Sequence, residues 1–192
     1  MDRALTVERP VVIHRVVAVM LGAALVAAAA QVSVPLPGTP VPMTLQPLAV
    51  LLVGGLLGAP LGASSLLLYL ALGAAGLPVF TPTVPLVGVA RLFGPTGGYL
   101  LAYPVAAFAT GWIVTDPGRQ PGVGQWRRIA VGVLAGLVLI HLGGLAQLLI
   151  LTGDLSAAAR FGTLPFLLGD VGKLAIAVAV LTKLAPAVHA RL

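Results

Sequence analysis

Cysteine is absent from this 192-residue chain, and so is asparagine. The first absence removes any disulfide framework, thiolate nucleophile or cysteine metal site. The second removes any N-glycosylation acceptor. Charge is the next shortage: only 8% of residues are charged, 11 basic and five acidic, where a water-soluble domain is about a quarter charged. Too few charges are present to coat a soluble surface, and the chain is too apolar for disorder. Catalytic patterns are missing as well. Ser64-Ser65 lies outside any Gly-x-Ser-x-Gly context, and His14, His141 and His189 show no His-x-x-x-His spacing, so neither a serine hydrolase nor a metalloenzyme is supported. Gly172-Lys173 is not a phosphate loop, because Leu167 stands where the motif needs its upstream glycine and Leu174 where it needs Ser or Thr.

What is present is apolar: 59% of the residues are hydrophobic and the mean hydropathy is +1.08. A membrane-spanning helix takes roughly 20 mostly apolar residues. The composition therefore predicts an all-α integral membrane protein, with residues 1–192 forming a single membrane domain. Apolar runs bounded by Pro, Gly or charge predict a compact bundle of six transmembrane helices at roughly 12–30, 45–58, 61–76, 98–115, 129–151 and 165–185. The second and third are short, and Gly58-Ala59-Pro60-Leu61-Gly62 separates them with several breaker residues, which favours two helices over one kinked hairpin. The first segment also has the form of a signal peptide, with Arg9 and Arg15 ahead of a run ending in Ala28-Ala29-Ala30. Its apolar run is long for such a peptide, and everything downstream is membrane too.

The net charge of +6 and the pI of about 10.9 suggest a nucleic-acid binder at first sight. The basic residues are dispersed, however, with Arg127-Arg128 the longest run, and dispersed Lys and Arg in a membrane protein set orientation. With both termini in the cytoplasm, Arg3, Arg9, Arg15, Arg119, Arg127, Arg128, Lys183 and Arg191 fall on the inner face. Trp112 and Trp126 flank the same inner loop, where interfacial indoles are expected. The outward loops are then 31–44, 77–97 and 152–164, and their length and proline content read as functional. Small residues recur at four-residue spacing in Ala18/Gly22, Ala23/Ala27, Ala24/Ala28 and Gly132/Gly136, a pattern that lets helices approach closely in lipid. Packing within the bundle is one use of such pairs, and the Ala-dense first helix is the better candidate for docking another protein.

Few residues are left to carry chemistry. Asp170 and Lys173 share a helix face at the outer end of the sixth segment. A charge at bilayer depth costs roughly 2.5–3.5 kcal/mol, so the two form either a self-compensating pair that tightens the bundle or a polar floor for a small ligand. Arg91 is the only charge in loop 77–97, and guanidinium suits bidentate capture of a carboxylate; a solvated or Asp-paired arginine is the alternative. This topology sets Arg91, Asp170 and Lys173 at one outer depth. His141 counts near the midplane and Gln147 two turns outward, both read as neutral groups bonded to neighbouring helices. An enzyme pairing His141 with Asp170 would need those residues to converge, which the depth count opposes.

Four segments then occur in order: Pro40-Val41-Pro42-Met43-Thr44-Leu45-Gln46, Gly73-Ala74-Ala75-Gly76-Leu77-Pro78-Val79-Phe80, Gly94-Pro95-Thr96-Gly97-Gly98-Tyr99-Leu100, and Gly169-Asp170-x-Gly-Lys173. In these the chain resembles the BioY family, the biotin-specific S components of energy-coupling factor (ECF) transporters, from about Ala18 to Lys183. The resemblance implies a multi-pass protein of a prokaryotic cell membrane that captures biotin from outside and has no enzymatic activity or cofactor of its own. It implies partners too: a transmembrane coupling protein, which the first helix (Ala18, Gly22, Ala23, Ala24, Ala27, Ala28) would meet, and two ABC ATPases that use the ATP, with the S component toppling in the membrane. Arg91, Asp170 and Lys173 become ligand contacts by the same resemblance, and Tyr99 a pocket residue. Biotin's chemistry agrees: its ureido N–H groups and carbonyl suit Asp170 and Lys173, and its carboxylate suits Arg91. Two stretches depart from the family pattern. Thr81-Pro82-Thr83-Val84-Pro85 replaces a Gly-rich stretch, and Pro47 stands where Thr is usual. The other transport reading is a self-sufficient secondary carrier of biotin or another small carboxylate, with Asp170 as a proton site.

Overall fold

The computed structural model describes residues 5–115 and 124–190, with side chains from residue 12 onward. Arg3, Arg119 and Arg191, expected on the inner face, lie outside the described residues, as does the side chain of Arg9. The main elements are α1 (Leu5–Gln31), α2 (Gln46–Leu57), α3 (Ala59–Ala74), α4 (Ala90–Phe93), α5 (Gly97–Val114), α6 (Gln125–Thr152), α7 (Leu155–Gly162) and α8 (Leu167–His189). Each of the six expected apolar segments is helical. Four stretches are long and apolar enough to cross a membrane, namely Val12–Gln31, Gly97–Val114, Gln125–Thr152 and Leu155–His189, and α2 and α3 are shorter apolar helices.

Local sequence explains the breaks. Pro47 opens α2 and Pro60 opens α3, both in the first turn, where the missing N–H is no loss. Between them Gly58 takes φ +78°, a left-handed conformation that reverses the chain in one residue. The expected split into two helices is therefore right. The loops expected to face outward carry more structure than their composition suggested. Loop 31–44 holds a short antiparallel pair, Ser33–Val34 with Met43–Thr44. Loop 77–97 contains α4, and 152–164 contains α7, which Asp154 caps by accepting the Ser156 N–H at 2.8 Å.

Glycine sets the helix spacing. Gly98 on α5 meets the Gly143 backbone on α6, and Gly54 on α2 meets Ala107 on α5, so closely that a Cβ on either glycine would collide with main chain. Helix α2 becomes a short central post, buried through Ala49, Val50, Leu51 and Val53. Gly132 and Gly136 pack against Val114 and Thr110 on α5, the internal use anticipated for that pair. The first helix divides its small residues. Gly22 and Ala23, expected on the docking face, are buried instead, with Gly22 against Ser65 of α3; Ala18 and Ala27 are half-buried, and Ala24 and Ala28 stay exposed. The physical reason is helical periodicity: Gly22 and Ala23 share the face that α1 lays on α3, and Ala24 and Ala28 turn away from it.

Candidate functional site

At the end of the bundle that holds the 31–44, 77–97 and 152–164 loops, α2, α5, α6 and α8 line a cavity of about 560 Å³ counted together with its open mouth. Its walls are largely apolar and aromatic, from Val41, Phe80, Leu100, Tyr103, Ile140 and Phe166. All four residues anticipated from the sequence, Arg91, Tyr99, Asp170 and Lys173, line it.

The polar floor is built from two helices. Within the first turns of α8, Lys173 Nζ donates to Asp170 Oδ1 at 2.9 Å, as the three-residue spacing predicts. The other carboxylate oxygen, Oδ2, lies 2.7 Å from Nε2 of His141 on α6. The depth count that kept His141 and Asp170 apart is thus overturned. Its error lay in placing the start of the last helix at the outer surface. Instead α7 and a 3₁₀ turn (Leu164–Phe166) precede it and form a further layer at that end of the bundle, with Gly162 packed on Leu148, about two turns along α6 from His141. Helix α8 starts beneath this roof, at the level of His141.

Tyr99 contributes its ring to the wall, while its hydroxyl donates to the Gly162 carbonyl and holds the roof down. Its ring meets the His141 ring edge-on at 6.4 Å. Arg91 is 1% exposed and is neither solvated nor paired with a carboxylate. Its guanidinium donates to the Val84 carbonyl at 2.5 Å and to the Thr81 carbonyl, so the stiff Thr81–Pro85 stretch is where this arginine is anchored. Burial lowers its pKa from the ordinary value, yet a guanidinium is not deprotonated in proteins and keeps its charge.

Further polar residues line the cavity that sequence reasoning did not single out. Gln46 Nε2 donates to the Tyr69 hydroxyl at 2.6 Å, and the Tyr69 ring packs edge-on against Phe80 at 5.4 Å. Thr44 lies beside Gln46, accepting its backbone N–H at 3.2 Å. Position in a motif was the available signal, since Thr44 and Gln46 close the Pro-Val-Pro-Met-Thr-Leu-Gln segment. Gln147 is not part of the cavity; it donates to the Phe93 carbonyl at 3.1 Å and ties α6 to α4.

A profile of the BioY family matches residues 1–190. The chain belongs to the BioY family. Among BioY relatives, the probable biotin transporter BioY of Pyrococcus horikoshii is 40% identical over 166 residues, covering 86% of this chain and 93% of that protein. The biotin transporter BioY of Thermotoga maritima is 36% identical over 161 residues, covering 84% and 89%. A crystal structure of the S-component for biotin from an ECF-type ABC transporter matches with a TM-score of 0.78 at 26% identity, across 96% of this chain and 94% of that one. The BioY match extends over the whole bundle, cavity and roof included.

Proposed function

We propose that this chain mediates biotin uptake as the substrate-binding S component of an ECF transporter, and has no enzymatic role. The observation that carries the reading is the Asp170–Lys173 pair at 2.9 Å on the floor of an apolar cavity. One edge of a cyclic urea presents an N–H beside a C=O. A carboxylate oxygen and an ammonium held side by side offer the complementary acceptor and donor. Aliphatic and aromatic walls suit the thioether ring and alkyl chain. The carboxylate end is assigned to Arg91, which uses two of its five N–H donors on the Val84 and Thr81 carbonyls and keeps three.

The six apolar helices are read as six membrane spans, with α2 and α3 as the short ones. Orientation follows from charge: Arg15, Arg127, Arg128 and Lys183 lie toward the end of the bundle opposite the cavity, which is assigned to the cytoplasm along with both termini. Exposed Trp112 and Trp126 fit the inner interface, with the Arg127 guanidinium 5.4 Å from the Trp126 ring centre. The exposed side of α1, with Ala24 and Ala28 at its centre and Ala18 and Ala27 at its margin, is the face assigned to the coupling protein. ATP use belongs to the partner ATPases.

Calorimetric titration of the purified chain with biotin and desthiobiotin tests the binding reading; no heat with either ligand would end it. Liposomes carrying the chain alone under a proton gradient, compared with liposomes carrying the chain plus coupling protein, ATPases and internal ATP, test the transport reading. Accumulation by the chain alone would favour the secondary carrier.

A further inference from the structure

We infer that His141 is a positioning residue for ligand recognition, acting through Asp170 to set which hydrogen-bonding edge the site reads. The inference rests on the biotin reading above and extends it to His141, which lines the same cavity beside Asp170 and was given no ligand contact there.

Three observations carry it. First, His141 comes from a different helix than the Asp170–Lys173 pair, so its 2.7 Å contact with Oδ2 fixes the carboxylate against the bundle. The intrahelical pair alone would leave it free to turn about its own side chain. Second, the two carboxylate oxygens are divided between two partners, Oδ1 to Lys173 and Oδ2 to His141. A carboxylate oxygen accepts more than one hydrogen bond, so each keeps accepting capacity, but the plane of the group is no longer adjustable. Third, the His141 ring meets the Tyr99 ring edge-on at 6.4 Å and, among the described residues, its one side-chain hydrogen-bond partner is Asp170, so the imidazole is oriented toward the carboxylate.

The chemistry follows from donor and acceptor roles. An ionised carboxylate only accepts, so Nε2 of His141 carries the hydrogen and points it at Oδ2. With Oδ2 held, Oδ1 stays beside Lys173 Nζ, and the floor presents acceptor next to donor. That order matches an N–H next to a C=O on the ligand. A carboxylate free to rotate would present either oxygen at varied angles, and discrimination between an N–H and a non-donor at that ligand position would fall. His141 is in this way a determinant of selectivity rather than a ligand group itself.

The test is a variant-by-ligand cycle. Wild type, His141→Ala and His141→Gln are titrated with biotin and with the two carbamate analogues in which a ring oxygen replaces one or the other ureido N–H. Wild type should lose about tenfold or more in affinity for the analogue lacking the N–H that Asp170 reads. In His141→Ala, biotin affinity should fall about tenfold while that analogue loses less than about threefold, so the discrimination collapses. His141→Gln, which retains an N–H donor, should restore discrimination to within about threefold of wild type. His141→Phe, which fills the space without a donor, is titrated alongside and should behave as the alanine variant, which covers a failure of His141→Ala to fold. Equal losses for biotin and both analogues, or unchanged discrimination in His141→Ala or His141→Phe, would overturn the inference and leave His141 a structural contact. Failure of the biotin reading is distinguishable, because it shows as wild-type protein that binds no biotin at all.

Discussion

Removing Asp170 should cost far more stability when Lys173 stays than when Lys173 is removed with it. The two side chains sit 2.9 Å apart and are only 5% and 8% exposed. Asp170→Ala alone strands an ammonium away from water, and breaking a buried pair from one side costs about 3–5 kcal/mol. For a chain of this size that corresponds to a fall of about 6–20 °C in Tm. Asp170→Ala combined with Lys173→Met takes both charges away and should recover most of that loss, remaining about 1–3 kcal/mol below the parent because the His141 N–H is left without its acceptor. Biotin binding should not recover with stability. Each lost hydrogen bond to a charged group is worth about 1.5–3 kcal/mol, so the single variant should weaken biotin by about 10-fold or more and the double variant by at least about 100-fold. Thermal unfolding and calorimetric titration in one detergent measure both quantities on the same preparations. A single variant that melts with the parent and binds biotin within about threefold would refute the argument, as would a double variant less stable than the single one.

Other contacts give narrower expectations. Arg91→Lys keeps the charge but cannot donate to the Thr81 and Val84 carbonyls as a planar fork, so proteolysis within 79–93 should accelerate and biotin affinity should fall about tenfold; unchanged cleavage would remove Arg91 as the anchor of that loop. Gly98→Ala should place a methyl against the Gly143 main chain and cost at least about 1–3 kcal/mol, read as a lower Tm; a Tm within about 1 °C of the parent would show that α5 and α6 are not in backbone contact. Tyr69→Phe deletes the acceptor for Gln46 and should destabilise the fold by about 1–3 kcal/mol, checked by the same melting experiment. Ala24→Trp with Ala28→Trp should leave biotin titration unchanged while reducing ATP-driven uptake by the reconstituted complex; normal uptake would move the docking face off α1.

Helix positions and the charges that line the cavity were legible in the sequence because each rests on one local signal. Pro60 with the breakers around it separated α2 from α3, and the three-residue spacing of Asp170 and Lys173 put them on one face. What the sequence did not reveal was depth. Counting residues inward from each loop assumes that a helix begins at the membrane surface, and α8 does not, because α7 lies over its start. That one displaced origin hid the His141–Asp170 contact. The anchoring of Arg91 was not legible for a different reason: its partners are main-chain carbonyls at Thr81 and Val84, and no residue type announces an anchored carbonyl. Helical phase, not composition, separated buried Gly22 and Ala23 from exposed Ala24 and Ala28.

The unequal lengths of the helices make the fold sensitive to the thickness of its solvent. At 1.5 Å per residue, the 16 residues of α3 extend about 24 Å, and the 28 residues of α6 about 42 Å. Leu67 on α3 and Val138 and Leu142 on α6 are all exposed on the surface of the bundle. A hydrocarbon layer of about 30 Å is too thick for one flank and too thin for the other. On the six-span reading proposed above, the lipid beside α3 is pinched while α6 overreaches. Each ångström of such mismatch costs a fraction of a kcal/mol. Acyl-chain length therefore acts as a mechanical load on the protein, setting how readily it leans within the membrane.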